Sequence, residues 1–247
     1  MQYRNQQRLQ LDGVTVRLSA NPRARRISIR LDPRSGEVVA TAPNERRLGE
    51  AVAFAQSRRR WIAERLARRP AASLFAPGGT APLFGQELPL VANGGRGAAR
   101  LEPVDGDLSI VSGGEGEAFS RRVERLIRDE ARRVLTARTE AHLATLGLKP
   151  VKVSMGDPRS RWGSCSPHNR SIRYSWRVAM APPEVVDYLA AHEVAHLVHA
   201  DHSPAYWRVV ERLIGDHRPY RKWLREHGAR LHALGRPGAD EGDAAGE

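Results

Sequence analysis

The chain has 247 residues, a formal net charge of +12, and 40% hydrophobic against 28% charged residues, a length that suits one sizeable domain or two small ones. A single cysteine, Cys165, excludes an internal disulfide, and no stretch approaches the roughly 18 uninterrupted apolar residues of a membrane span. The opening Met-Gln-Tyr-Arg-Asn-Gln-Gln-Arg lacks the apolar centre of a signal peptide, so a cytoplasmic protein with no membrane segment is expected.

Residues 8–43 alternate apolar and polar side chains around Val14, Val16 and Leu18 and again around Ile27, Ile29 and Leu31. A turn at 32–36 follows, so the segment reads as an antiparallel meander. From 47 to 69 the period lengthens, with Leu48, Val52, Ala55, Ile62 and Leu66 at helical spacing before Pro70. Residues 71–116 are rich in Gly and Pro, with brief strand-like runs at 87–91 and 108–111, and read as a loose β extension. A long amphipathic helix is expected over 117–146, with Phe119, Val123, Ile127 and Leu135 on one face, arginines on the other, and Gly147 as its stop. Three strands at 151–155, 159–165 and 171–176 come next, the last two forming a hairpin. Three helices at 183–200, 204–214 and 219–234 complete the α+β pattern. The reading divides the chain into a β-rich basic N-terminal part with one helix (1–116), a catalytic part (117–234) and a disordered acidic tail (235–247), with no internal repeat.

The charge is uneven. Residues 1–70 carry 16 basic and 6 acidic groups, 71–180 carry 16 and 11, and 181–247 carry 8 and 11, giving +10, +5 and −3. Lys149, Lys152 and Lys222 are the only lysines, and codon usage in a GC-rich genome is by itself sufficient to produce so strong an arginine bias. The runs at 23–30, 58–60 and 121–133 are read first as solvated faces, with a nucleic-acid or acidic-partner surface in the N-terminal part as the alternative. Few aromatics are interleaved with them, so no base-stacking platform is evident.

Chemistry concentrates in Ala191-His192-Glu193-Val194-Ala195-His196, an HExxH pattern inside an expected helix. Residues four apart differ by only about 40° around a helix and rise about 6 Å, so both imidazoles reach one metal ion, and Zn²⁺ suits two neutral nitrogens. Glu193, beside the first ligand, is placed to hold and deprotonate a water. With 9 His and 17 Glu in the chain, such a string arises by chance about 0.02 times. The flanking Val185, Val186, Leu189, Val194, Leu197 and Val198 make the helix apolar nearly all round, so the polar trio is buried and needs partners.

A third ligand is required. His199 shares the face of His192 but lies about 10.5 Å along the axis. His202 points about 240° away from His196 in an unbroken helix and serves only if the chain turns, which Ser203 as N-cap and Pro204 at the first helical position provide. His202 is therefore favoured over His199, and Glu211 is the carboxylate alternative.

Several of these segments resemble the YgjP-like metallopeptidases, relatives of the SprT-like zincins. They are Arg161-Trp162-Gly163-Ser164-Cys165-Ser166, Ile172-Arg173-Tyr174-Ser175-Trp176-Arg177, Ala181-Pro182-Pro183-Glu184-Val185-Val186-Asp187-Tyr188, the HExxH, and His202-Ser203-Pro204-Ala205-Tyr206-Trp207. The similarity extends to Arg221-Lys222-Trp223-Leu224 and covers most of the chain. It implies a zincin-like peptidase acting on peptides or proteins, with one zinc held by His192, His196 and His202 and Glu193 as catalytic acid and base. The third histidine has the metzincin spacing, but His199 occupies the place of the metzincin turn glycine, which argues against that turn.

The implied reaction is metal-assisted amide hydrolysis. Arg161, Tyr206, His217 and Tyr220 are candidates for substrate or oxyanion contacts, unranked by sequence. Trp162, Tyr174, Trp176, Trp207 and Trp223 read as packing, and Cys165 as a buried small residue. Two rivals are a nucleic-acid-associated binding protein with a structural, four-ligand zinc, and a zinc hydrolase for a non-peptide amide or ester.

Overall fold

Residues 3–32, 37–67, 72–158 and 161–235 are described by the computed structural model, and the chain folds as two units, 1–70 and 71–247. In the first, β1 (Arg8–Leu11) and β2 (Val14–Ala20) form a hairpin closed by Asp12 and Gly13, whose φ angles of 50° and 78° supply the left-handed pair that a two-residue turn requires. β3 (Ser28–Leu31) pairs antiparallel with β4 (Val38–Ala42), but β4 also pairs in parallel with β2, so the order is β1-β2-β4-β3. This corrects the meander. Val38, Val39 and Ala40 are all fully buried, and a strand apolar on both faces belongs inside a sheet, so β4 separates β2 from β3. Most of the expected turn at 32–36 lies outside the described residues.

The single helix expected over 47–69 is two, α1 (Leu48–Ser57) and α2 (Arg59–Ala67), because Arg58 leaves helical geometry at φ −105°, ψ 14°; residues 68–70 lie outside the described set. Leu48, Ala51, Val52 and Ala55, spaced three and four apart, pack with Ile62 against Val16, Leu18, Val38 and Ala40.

The second unit begins with a full sheet where a loose extension was expected: β5 (Thr80–Leu83), β6 (Gln86–Ala92), β7 (Arg100–Val104) and β8 (Asp107–Ser112), in the order β5-β6-β8-β7. Its pairings are antiparallel, parallel and antiparallel, as in the first sheet. The first three strands start 72 residues after their counterparts, at 80, 86 and 100 against 8, 14 and 28. Details repeat at that offset. Leu18 N–H donates to Gln7 O and Leu90 N–H to Gly79 O, while Asn21 and Asn93 each accept, at 3.0 Å, from the backbone N–H two residues on. The sheet is thus an internal repeat that the sequence reading misses, since over residues 8–31 only Leu11/Leu83, Gly13/Gly85, Leu18/Leu90, Ala20/Ala92 and Asn21/Asn93 are identical.

α3 (Gly116–Thr145) matches the expected helix, burying Phe119, Val123, Ile127, Ala131 and Leu135 at a spacing of four. Gly147, at φ 65°, ends it as expected. Its N–H donates to Ala144 O and that of Leu148 to Leu143 O. Three of the seven arginines on the helix are paired within it, as Arg121–Glu117, Arg128–Glu124 and Arg133–Glu130. The sequence boundary at 116/117 differs from the observed one because Phe75, Leu83, Leu88, Leu90 and Ile110 share one core with α3 and everything after it.

β9 (Lys152–Gly156), β10 (Gly163–Ser166) and β11 (Ser171–Ser175) form a second sheet in the order β10-β11-β9, which leaves β10 as an edge. The β10–β11 hairpin is as expected, although residues 159 and 160 lie outside the described set. Tyr174 ties this sheet to α3 through a 2.8 Å hydrogen bond with Thr139. Buried residues 176–180 lead into α4 (Pro183–Ala195), which stops five residues short of the expected end, and then α5 (Pro204–Ile214) and α6 (Arg218–Ala233). Among the described residues no helix is long and apolar enough to cross a membrane. The expected tail beyond Gly235 lies outside them.

Candidate active site

α4 is apolar nearly all round, with Val185, Val186, Leu189, Ala190, Val194 and Ala195 buried, so Glu193 is carried into the interior at its C-terminal end with His192 and His196 partly buried beside it. His196 is the C-cap. The chain tightens there, with Leu197 N–H bonded to Val194 O and those of Val198 and His199 to Ala195 O. Asp201 accepts from Ser203 N–H, and Ser203 caps α5 by accepting from Tyr206 N–H, with Pro204 following. This reversal returns His202 to within 3.4 Å of His192, Nε2 to Nε2.

One ligand nitrogen from each of His192, His196 and His202 lies within 4.8 Å of the others. Two nitrogens at about 2.05 Å on a tetrahedral ion stand about 3.35 Å apart, so the His192–His202 spacing fits a shared zinc. His199 is outside the group. Its backbone carbonyl lies 3.2 Å from His196 Nδ1, an arrangement that places the proton on Nδ1 and leaves Nε2 free to bind metal. Glu211 also stays outside, 3.9 Å from His217 Nε2.

The electrostatics suit metal binding and proton transfer. Burial, reinforced by His196, His202, Arg221 and His217, pushes His192 down to about 3, so the imidazole is neutral at pH 7, the form that could bind a metal. Burial lowers His196 too, partly offset by the His199 carbonyl. Burial pushes Glu193 up to about 8, with Arg161 pulling the other way. Glu193 is 3% exposed, and its Oε2 has no hydrogen-bond partner among the described residues. An unsatisfied buried carboxylate beside three converging imidazoles is costly to keep unless a ligand completes it.

Two tyrosines support the histidines. Tyr206, fully buried, donates at 2.9 Å to the His192 carbonyl, one of the last-turn carbonyls that α4 leaves without a helical partner. Its hydroxyl is therefore engaged with the α4 backbone. Tyr188, one turn before His192, places its hydroxyl 3.5 Å from His192 Nδ1, a contact that the sequence reading misses although the spacing of four was legible. Gly163 on β10 lies against Glu193, where any β-carbon would overlap the carboxylate; a glycine here reads from sequence as permitting a close approach, and the tertiary structure supplies the partner.

Arg161 lines the cleft with His192 and Glu193, but Tyr220 does not; it packs on Tyr188 at 6.2 Å. His217 is buried under Trp207, with ring centroids 4.2 Å apart. Trp162 stacks on His232 at 4.7 Å and lies against Gly228, in keeping with a packing role. Cys165 is a free, half-buried thiol, pushed up to about 12 by burial and by the Glu193 charge.

The arrangement is that of a metallopeptidase. The description "YgjP-like, metallopeptidase domain" matches residues 25–227, and the chain belongs to that family. Comparison with curated proteins gives no match. Among solved structures, the chain is similar to the zymogen of Pyrococcus abyssi abylysin at 26% identity and TM-score 0.34, over 38% of this chain and 92% of that one. The zymogen of Methanocaldococcus jannaschii jannalysin matches at 12% identity and TM-score 0.34, over 37% and 94%.

Proposed function

We propose that the protein is a zinc-dependent peptidase in which His192, His196 and His202 hold the ion and Glu193 is general base and then general acid. The observation that carries this reading is the buried, unpartnered Glu193 oxygen beside three converging imidazoles. A zinc ion held by these three histidines would supply Lewis acidity, making a water more acidic and the scissile carbonyl more electrophilic.

Glu193 takes a proton from the attacking water as its oxygen bonds to the carbonyl carbon. It then delivers that proton to the amide nitrogen as the C–N bond breaks, so the carboxylate is regenerated each turnover. Burial raises the Glu193 carboxyl above the ordinary glutamate range, which favours its holding the proton between the two transfers. The edge strand β10 offers its unpaired side to an extended peptide, which aligns the scissile bond along the cleft. A structural zinc calls for a fourth protein ligand, whereas the His/Cys/Asp/Glu group among the described residues has three members, which favours an open catalytic position.

The test is metal analysis beside peptide hydrolysis. Glu193→Gln is expected to abolish cleavage while retaining about one zinc per chain, and His196→Ala to lose both. Unchanged turnover in Glu193→Gln would overturn the mechanism.

A further inference from the structure

The cleft over His192 and Glu193 has a volume of about 310 Å³ and is walled by the start of β10, by α4 and by α6. Three arginines line it. Arg161 precedes β10, and Arg221 and Arg225 stand four residues apart on one face of α6. The only carboxylate among the lining residues is Glu193. All three arginines are exposed, and among the described residues none has an acidic partner. Some arginines elsewhere in this unit are matched, as in Arg177–Asp157 at 2.9 Å and Arg218–Asp216 at 2.7 Å, so what marks these three is their convergence on one cleft.

One of the three is also positioned. The Arg221 guanidinium lies over the Trp207 ring, 5.3 Å from its centroid, which restrains a side chain that would otherwise sample many rotamers. Arg161 stands on the β10 side of the cleft and Arg221 and Arg225 on the α6 side, so positive charge flanks His192 and Glu193 from both walls. A planar guanidinium matches a carboxylate bidentately, and several in one concave site attract anions and repel cations.

We propose that Arg161, Arg221 and Arg225 select peptides carrying a carboxylate close to the scissile bond, either an acidic side chain or the free carboxylate of a peptide C-terminus. This inference rests on the peptidase reading above.

Two matched peptide pairs separate the sources: Glu against Gln beside the scissile bond in C-terminally amidated peptides, and free against amidated C-termini in peptides without acidic side chains. Binding is measured calorimetrically on zinc-loaded Glu193→Gln protein, and kcat/KM on the wild type. The carboxylate member of at least one pair is expected to be favoured by about tenfold or more, with the preference falling as salt rises. Arg225→Gln and Arg221→Gln, separately and together, are expected to erase the difference chiefly through KM. Arg225 has no aromatic contact among the described residues, so its variant tests the charge if Arg221→Gln disturbs Trp207. Cleavage without preference for either carboxylate overturns the proposal and leaves the peptidase reading standing. Selective binding without wild-type cleavage does the reverse, and no preference in binding or cleavage overturns the arginine proposal outright.

Discussion

Gly163 and Glu193 are in contact across the cleft, and a β-carbon on residue 163 would occupy the space of the Glu193 carboxylate. Gly163 sits in ordinary extended strand β10, so the substitution Gly163→Ala strains no backbone and acts only by displacing the carboxylate. A displacement of about 1 Å costs on the order of 100-fold in rate. Gly163→Ala is accordingly expected to lower kcat/KM by about that factor while zinc content and Tm stay near wild type, as read by peptide hydrolysis, metal analysis and thermal melting.

The Tyr206 hydroxyl satisfies the His192 carbonyl from inside the core. Tyr206→Phe removes that bond without opening a large cavity, for a stability loss of about 1 kcal/mol. The His192 backbone is then less firmly held, and zinc affinity is expected to fall by about tenfold in chelator competition. An affinity equal to wild type would show that the bond does not position the ligand.

Arg177 is 1% exposed, pairs with Asp157 at 2.9 Å, donates to the carbonyls of Leu231 and Leu234 at 3.0 and 2.6 Å, and lies over Trp176 at 4.3 Å. It joins the segment before α4 to the end of α6. Arg177→Leu strands several buried acceptors and is expected to destabilise this unit by about 3 kcal/mol or more in denaturant titration.

His142 on α3 hydrogen-bonds Asp187 on α4 at 2.9 Å and, against the opposing effect of burial, holds that carboxyl below the usual aspartate range. A lowered folded pKa contributes stability that is full above the unfolded value of about 3.9 and is lost as pH falls through the folded value. Asp187→Asn is expected to flatten the fall of stability with pH below about 4, measured by denaturant midpoints across acid buffers.

Burial and the Glu193 charge push the Cys165 thiol up to about 12, so it is almost wholly protonated at pH 8 and a poor nucleophile. Native protein is expected to resist iodoacetamide at that pH and to alkylate rapidly once unfolded, with mass spectrometry reading the difference. Fast native alkylation would contradict the burial assigned to this residue.

The HExxH pair, the long helix ending at Gly147 and the Ser203-Pro204 start of α5 were legible in the sequence because each depends on residues a few positions apart. Helical period, a left-handed stop and an N-cap are local physics. The arrival of His202 at His192 followed from the same local signals, since a cap after residue 202 forces the chain to turn. The sheets were less legible. Whether β4 lies beside β3 alone or between β3 and β2 depends on which faces are buried, and the 72-residue repeat survives in backbone hydrogen bonds that almost any side chain permits.

The sequence by itself thus determined the kind of chemistry, through histidines and a glutamate at helical spacing in an apolar segment. Tertiary structure alone decided what surrounds that chemistry. Gly163 meets Glu193 from 30 positions away, and Arg161 comes to one cleft with Arg221 and Arg225 from a different element. Such meetings are set by the packing of whole elements around a shared core, and no local periodicity encodes them.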